Sequence, residues 1–142
     1  MVTLTVRGTL RNTATEDTYY ALPHDWHGNV EGKYPDLIPV DGTGHFRHVS
    51  GGTDMSEAAV VYTDGTYDWL VSWYSALSHA NKVYTEIREA GYFEKITDWS
   101  PYKAKLEAGT NKSENVWGGY KTTVEITAAG TSPALNGKIF NK

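Results

Sequence analysis

Apolar and polar positions alternate most regularly on either side of Asp64-Gly65, in the run EAAVVYTDGTYDWLVSWY from Glu57 to Tyr74. Asp-Gly between two segments rich in Val, Tyr and Trp predicts a β-hairpin with a two-residue type I′ turn, which requires positive φ at both central residues. That turn pairs Thr63 with Thr66, Tyr62 with Tyr67, Val60 with Trp69 and Ala58 with Val71, and Trp73 continues the row. This row is the expected core face. The other face receives Glu57, Ala59, Val61, Asp68, Leu70 and Ser72, a mixture that predicts half cover. A one-residue slip would exchange the faces and bury Glu57 and Asp68, which sets the parity of the register.

The same patterns place further strands. Val2, Leu4 and Val6 alternate with Thr3, Thr5 and Arg7, and Gly8 bends the strand before Leu10. Tyr19, Tyr20 and Leu22 form a short strand, and Pro23 to Asn29 follows as a loop or strand end. Leu37 to Val40, interrupted by Pro39, suits a sheet edge. His45 to Val49 forms another strand, and Val83, Thr85 and Ile87 share one face of a strand expected to join the hairpin's sheet. Ser100 before Pro101 marks a helix start, with the hydroxyl as cap, and Gly109 ends the helix. Val116, Gly118, Tyr120, Thr122, Val124 and Ile126 lie on one face of a late strand if Gly118-Gly119 does not break it. Asn136-Gly137 predicts a last hairpin. Many short strands with one short helix read as a single domain over residues 1–142, all-β, a two-sheet antiparallel β-sandwich.

Composition narrows the function classes. The 142 residues carry no Cys, which removes disulfide scaffolds, thiolate zinc sites and cysteine nucleophiles. The opening residues alternate and include Arg7 and Arg11, unlike the apolar core of a signal peptide, so a cytosolic location is expected. A net charge of -4 without Lys/Arg clusters argues against a nucleic-acid partner. Five Trp and ten Tyr are a surplus that points to a contact surface for sugar, lipid or protein.

Asp25-Trp26-His27-Gly28, Glu57-Ala58-Ala59-Val60-Val61-Tyr62, Asp68-Trp69-Leu70-Val71-Ser72-Trp73 and Asn81 to Arg88 (NKVYTEIR), with Thr131 to Asn136 (TSPALN), resemble in that order the plant jasmonate-induced proteins. The resemblance spans about Val6 to Leu135 and implies a stress- or defence-induced plant protein, without defining a biochemical activity. A looser likeness, at the level of fold alone, is to the aegerolysin and actinoporin-like sandwiches that bind lipids at membrane surfaces. The basic, aromatic-tipped loops typical of those binders are not obvious in this chain.

Candidate chemistry gathers in the 23–29 segment. His24-x-x-His27 and His45-x-x-His48 offer imidazoles for zinc or copper, yet i and i+3 on a strand point to opposite faces, so no metal or other cofactor is expected. A hydrolase would use His24 or His27 with Asp25, but no G-x-S-x-G elbow accompanies them. Glu86, Arg88 and Glu89 read as a solvated ion-pair face. Trp69 and Trp73 belong to the core. Trp26, Tyr34, Tyr74, Trp99, Tyr102, Trp117 and Tyr120 fall in or beside loops. The expected ligand-binding set is therefore His24, Asp25, Trp26, His27, Asn29, Tyr34, Tyr74, Asn115, Trp117 and Tyr120. The reading is a non-catalytic, stress-related recognition protein for a glycan or a membrane lipid head group. Homo-oligomerisation is left open, and the alternative is an enzyme with a histidine/aspartate site in the 23–29 loop acting on a small molecule.

Overall fold

Strand propensity and alternation run through almost the whole chain, and the computed structural model, which describes residues 3–142, resolves them into two sheets. The strands are β1 (Thr5–Thr13), β2 (Thr18–His27), β3 (Asn29–Val30), β4 (Leu37–Ile38), β5 (Gly42–Val49), β6 (Met55–Thr63), β7 (Tyr67–Ala76), β8 (Lys82–Glu89), β9 (Lys112–Trp117), β10 (Tyr120–Ile126) and β11 (Ala134–Asn141). One sheet has the order β3-β5-β1-β11-β10-β9 and the other β4-β2-β6-β7-β8, and the single α-helix among the described residues, α1 (Ser100–Glu107), lies in the β8–β9 connection. The β-sandwich with one short helix is as expected. Its pairing is antiparallel except for β1 with β11, which run parallel. Val2 lies outside the described residues.

The hairpin β6–β7 occupies the middle of the five-stranded sheet. Ala58, Val60, Tyr62, Tyr67, Trp69, Val71 and Trp73 do share the inner face and meet Val6, Leu10, Phe46, Val124, Leu135 and Ile139 of the facing sheet. The register differs from the expected one by two residues: Thr63 pairs with Asp68, Tyr62 with Trp69, Val60 with Val71 and Ala58 with Trp73. A shift of two preserves the faces, so the core row survives while every partner changes. The cause is the turn. Asp64 does not take positive φ; its Oδ1 instead accepts the backbone N–H groups of Thr66 at 2.8 Å and Tyr67 at 2.9 Å, and only Gly65 is left-handed, at φ 92°.

The outer face of this hairpin is fully covered, not half covered. Ala59, Val61 and Leu70 pack beneath Phe93 and Tyr102. Glu57 and Asp68 are buried in the correct register, at 0% and 2% exposure. Asp68 is satisfied there, because its Oδ2 accepts the N–H groups of Gly91 at 3.1 Å and Phe93 at 3.5 Å. Burial still pushes its pKa up, against those hydrogen bonds. Glu86 is also buried, contrary to the expected solvated face. Burial raises its pKa, but donation from Tyr84, from Arg88 Nε at 2.9 Å and from the Tyr102 hydroxyl at 2.7 Å outweighs this and holds it below the ordinary value. These bonds fasten α1 to β8.

The helix begins where expected, but Trp99 takes the capping position and no side chain caps it; the Ser100 N–H instead donates to Asp98 Oδ1 at 3.0 Å. Two glycine readings change as well. Gly118-Gly119 is a two-residue turn, with Trp117 opposite Tyr120 and Gly118 at φ 57°, so the late strand is a hairpin rather than one strand. Gly137 makes no turn: it faces inward, where a Cβ would stand 2.9 Å from Leu10 and 3.6 Å from Trp69. The C-terminal segment thus stays extended as β11. β1 likewise continues through Gly8, over which the Phe46 ring lies.

Glu57 has the least compensated position. Neither carboxylate oxygen has a hydrogen-bond partner among the described residues, and Lys103 Nζ and His27 Nε2 stand 3.8 Å from Oε1. Burial first, and then the neighbouring Glu107 carboxyl, push its pKa up to about 8, while Glu107 is held below the ordinary value by the Glu57 carboxyl and the Lys103 ammonium beside it.

Two outcomes follow from this packing. Trp69→Ala should lower unfolding free energy by about 3–5 kcal/mol, and Asp68→Ala by about 1–3 kcal/mol because it orphans buried N–H groups; denaturant titration measures both. The Asp68 figure exceeds the near-neutral value that an exposed position would give. For Glu57 the folded pKa lies above the unfolded one, so the folded state holds a proton that the unfolded chain releases. Stability should be greatest below the ordinary glutamate value of 4.5 and fall as pH rises toward about 8. Thermal melts across that window should show the decline, and Glu57→Gln should flatten it.

Candidate functional site

β2 is the strand on which the candidate residues meet. β4 pairs only with Thr18 and Tyr19, and the Tyr20 N–H donates to the Asp36 carbonyl at 3.0 Å; beyond Tyr20 no strand among the described residues pairs with this edge of β2. Its pairing with β6 is interrupted between Tyr20 and Leu22 and again between Asp25 and His27. Each interruption inserts a residue and resets which face the following side chains take. Of the two expectations for residues 23–29, loop or strand end, the structure takes the second: Pro23 to His27 belong to β2. His24 sits opposite Ala59 and His27 opposite Glu57, both on the outward face, while Asp25 opposite Ala58 points the other way. The bulge at Trp26 thus overrides the strand rule for i and i+3. The two rings nevertheless go to different partners: His24 stacks on Trp99 with centroids 4.7 Å apart and planes at 14°, and His27 faces Glu57. Trp26 stands edge-on to both His24, at 4.9 Å, and Trp99, at 6.4 Å. All three rings are partly exposed. Burial against Trp99 holds the His24 pKa below the ordinary imidazole value, with Asp25 opposing.

On the inner side Asp25 reaches a residue that spacing alone did not pair with it. Asp25 Oδ1 lies 2.8 Å from His48 Nε2, and His48 Nδ1 lies 2.7 Å from Ser56 Oγ. The carboxylate can only accept, so Nε2 carries the proton and Nδ1 accepts from Ser56, whose oxygen accepts from Trp73 Nε1 at 3.2 Å. Burial lowers the His48 pKa, against the Asp25 bond, and keeps this tautomer neutral. The line has the residue types of a hydrolytic triad. Its serine, however, is completely buried behind Trp73 and His48 and cannot meet a substrate. It joins β2, β5 and β6, and so ties the two sheets together. His45, on the opposite face of β5, is exposed beside Thr9 Oγ1 at 3.2 Å.

Beside this line the free edge of β2 and the segment leading to β4 enclose a cleft of about 240 Å³. Tyr20 and Tyr34 stack in its wall, with centroids 5.8 Å apart and planes at 17°, and Asp25, Pro23, Val30 and Lys33 complete much of it. Lys33 is engaged by Asp36 at 3.0 Å on the rim. The Asp25 side chain keeps 38% of its surface open, and the buried Tyr34 hydroxyl has no partner among the described residues. Burial, then the Asp25 charge, raise both tyrosine pKa values, so both phenols stay protonated. An acceptor-only carboxylate beside two aromatic rings is chemistry suited to a cation. Sequence reasoning missed Tyr20, Lys33 and Asp36, since nothing in the local pattern announces a bulge after Tyr20.

The remaining expected residues do not converge here. Tyr102 is buried on α1, and Tyr74 is buried under α1 against Leu106. Asn115 Oδ1 is taken by the Ile87 N–H at 2.9 Å, where β9 side chains cover the edge of β8. Trp117 packs on the core and Tyr120 meets Tyr67 edge-on at 4.7 Å. That is the turn end of the β6–β7 hairpin, whereas Trp26 lies beside Glu57 and Ala58, about 17 Å back along β6 from Thr63 at ~3.3 Å per residue. Asn29 is exposed at the β3 end, its amide on the Val30 carbonyl at 3.1 Å.

The geometry has counterparts. The crystal structure of the lipid-binding protein Nakanori superposes with a TM-score of 0.88 at 17% identity, covering 98% of this chain and 71% of that one. A 23 kDa jasmonate-induced protein of Hordeum vulgare is 33% identical over 133 residues, 87% of this chain, and the chain spans 63% of the barley protein's length. This agrees with the resemblance to jasmonate-induced proteins. The family model for Nakanori-like proteins matches residues 7–142, and the chain belongs to that family.

Proposed function

We propose that this protein is a non-catalytic membrane-surface binder that takes a lipid whose head group carries a quaternary ammonium, such as phosphocholine, in the cleft beside β2. The observation that carries the reading is the stacked Tyr20–Tyr34 pair facing the part-open Asp25 carboxylate. Aromatic faces and a carboxylate attract a quaternary ammonium from complementary sides, and neither demands the hydrogen-bond donors that such a group lacks. The same strand supplies a surface for the rest of the lipid. Its two bulges turn Leu22, His24 and His27 to the outward face with Trp26, and Tyr19, 51% exposed, sits opposite Leu37, 40% exposed, further along. Trp and Tyr favour the boundary between water and hydrocarbon because each is apolar with one polar handle. That the structural neighbour Nakanori is a lipid-binding protein supports the ligand class.

Vesicle co-sedimentation tests the proposal. The parent protein should bind phosphatidylcholine vesicles, and free phosphocholine should compete. Tyr20→Ala and Trp26→Ala should each weaken binding by about tenfold, the equivalent of ~1.4 kcal/mol, with thermal melts verifying that each variant is folded at the assay temperature. His24→Ala should act more mildly. Vesicle affinity that is absent in the parent, or unchanged in both aromatic variants, would refute the proposal.

A further inference from the structure

Among the described residues the outer face of the six-stranded sheet carries no helix, and its charge runs against that of the whole chain. The net charge is -4, yet β1, β5 and β11 contain no Asp or Glu at all. Their outward positions hold Arg7, Arg11, Arg47 and Lys138, all exposed. Register brings like charges together: Arg7 lies directly opposite Arg47, and Arg11 directly opposite Lys138. Like charges in facing positions of a sheet cost stability. No carboxylate among the described residues comes within ion-pair distance of these four side chains. Arg11 makes only a long contact to Thr43 Oγ1, at 3.4 Å.

Shape accompanies charge. A groove of about 660 Å³ crosses this face from Thr43 on β5 to Glu114 on β9, with Arg11 and Lys138 side by side in it. Thr9, Thr123 and Asn136 line it with hydroxyl and amide groups. The acidic groups at its far side are already engaged, Glu125 with Lys112 at 3.8 Å and Glu114 with Lys121 at 3.6 Å. Five adjacent strands at about 4.8 Å spacing make it roughly 20 Å across, long enough for a chain of several rings.

We propose that this groove binds a linear acidic oligosaccharide, one whose sugar rings carry carboxylate or sulfate groups. Arginine forks match such planar or tripod oxyanions with paired hydrogen bonds, and Lys138 adds a point charge. The Thr and Asn groups can exchange hydrogen bonds with sugar hydroxyls. A bilayer suits the face less well, because the Arg11–Lys138 pair lies inside a concavity rather than on a protruding surface. Nucleic acid suits it less well too, since the groove has no aromatic side chain on which bases could stack. The site is on a different face from the β2 cleft and does not rest on the lipid reading.

Calorimetric titration of the intact protein with two probes, a heparin-derived hexasaccharide and a tetragalacturonate, tests the inference, with a neutral dextran oligosaccharide as control. At least one acidic probe should bind and the neutral one should not, and affinity should fall as ionic strength rises through about 0.1 M, where screening reaches ~10 Å. Arg11→Glu combined with Lys138→Glu should reduce affinity by about tenfold or more, while Trp26→Ala leaves it unchanged. Since both charge changes are at exposed positions, an unaltered melting temperature verifies that the variant is folded. The inference is overturned if neither acidic probe binds, or if the double variant binds as the parent does. It is equally overturned if phosphatidylserine vesicles alone respond to the double substitution.

Discussion

The β6–β7 hairpin is buried on both faces, and this double burial makes demands on every other element. Its inner row contributes two indoles, and each must find an acceptor once removed from water. Trp69 Nε1 donates to Thr122 Oγ1 at 2.6 Å across the sandwich, and Trp73 Nε1 donates to Ser56 Oγ. The outer row of Ala59, Val61 and Leu70 needs a lid, which the 93–107 segment supplies through Phe93, Tyr102 and Leu106. A helix of eight residues is too short to be stable by itself. It exists because the sheet below it must be covered.

Covering the outer row also traps three acids, and their different surroundings decide their different states. Asp68 accepts backbone N–H groups where the chain turns after β8. Glu86 collects two tyrosine hydroxyls and Arg88, and stays ionised. Glu57 meets no donor at hydrogen-bond distance and, with the Glu107 carboxyl nearby, keeps its proton toward neutral pH. Burial raises the pKa of all three; the donors available decide whether the shift persists.

The long sides of the sandwich are treated unequally. Along β8 the backbone N–H groups of Thr85 and Ile87 donate to Ser113 and Asn115 of β9, which closes that side. Along β2 the edge is open, interrupted twice by bulges and partnered only briefly by β4. Bulges blunt an exposed edge and re-aim side chains at the same time. That combination produces a cleft next to a strip of part-exposed aromatic rings.

Much of the architecture was legible in the residues themselves. Alternation located most strands, identified the inner row from Ala58 to Trp73 and gave the sandwich class, because a period of two reports directly which side chains face the core. The Ser100-Pro101 start and Gly109 end located the helix for a similar reason: those signals act over one turn. The resemblance to jasmonate-induced proteins rested on motifs spread along the chain. The hairpin register depended on whether Asp64 would adopt positive φ or cap the loop with its carboxylate, two outcomes of similar local energy. Gly137 served the packing of Leu10 and Trp69, not a turn, and only the assembled core distinguishes these uses. His24, Asp25, Trp26 and His27 were marked by their chemistry, but their facing was set by two bulges. Bulges arise from pairing with β6, far away in sequence. The pairs Asp25 with His48, Tyr20 with Tyr34, and Arg11 with Lys138 exist only once distant strands lie side by side, so the tertiary structure alone decided what those side chains face.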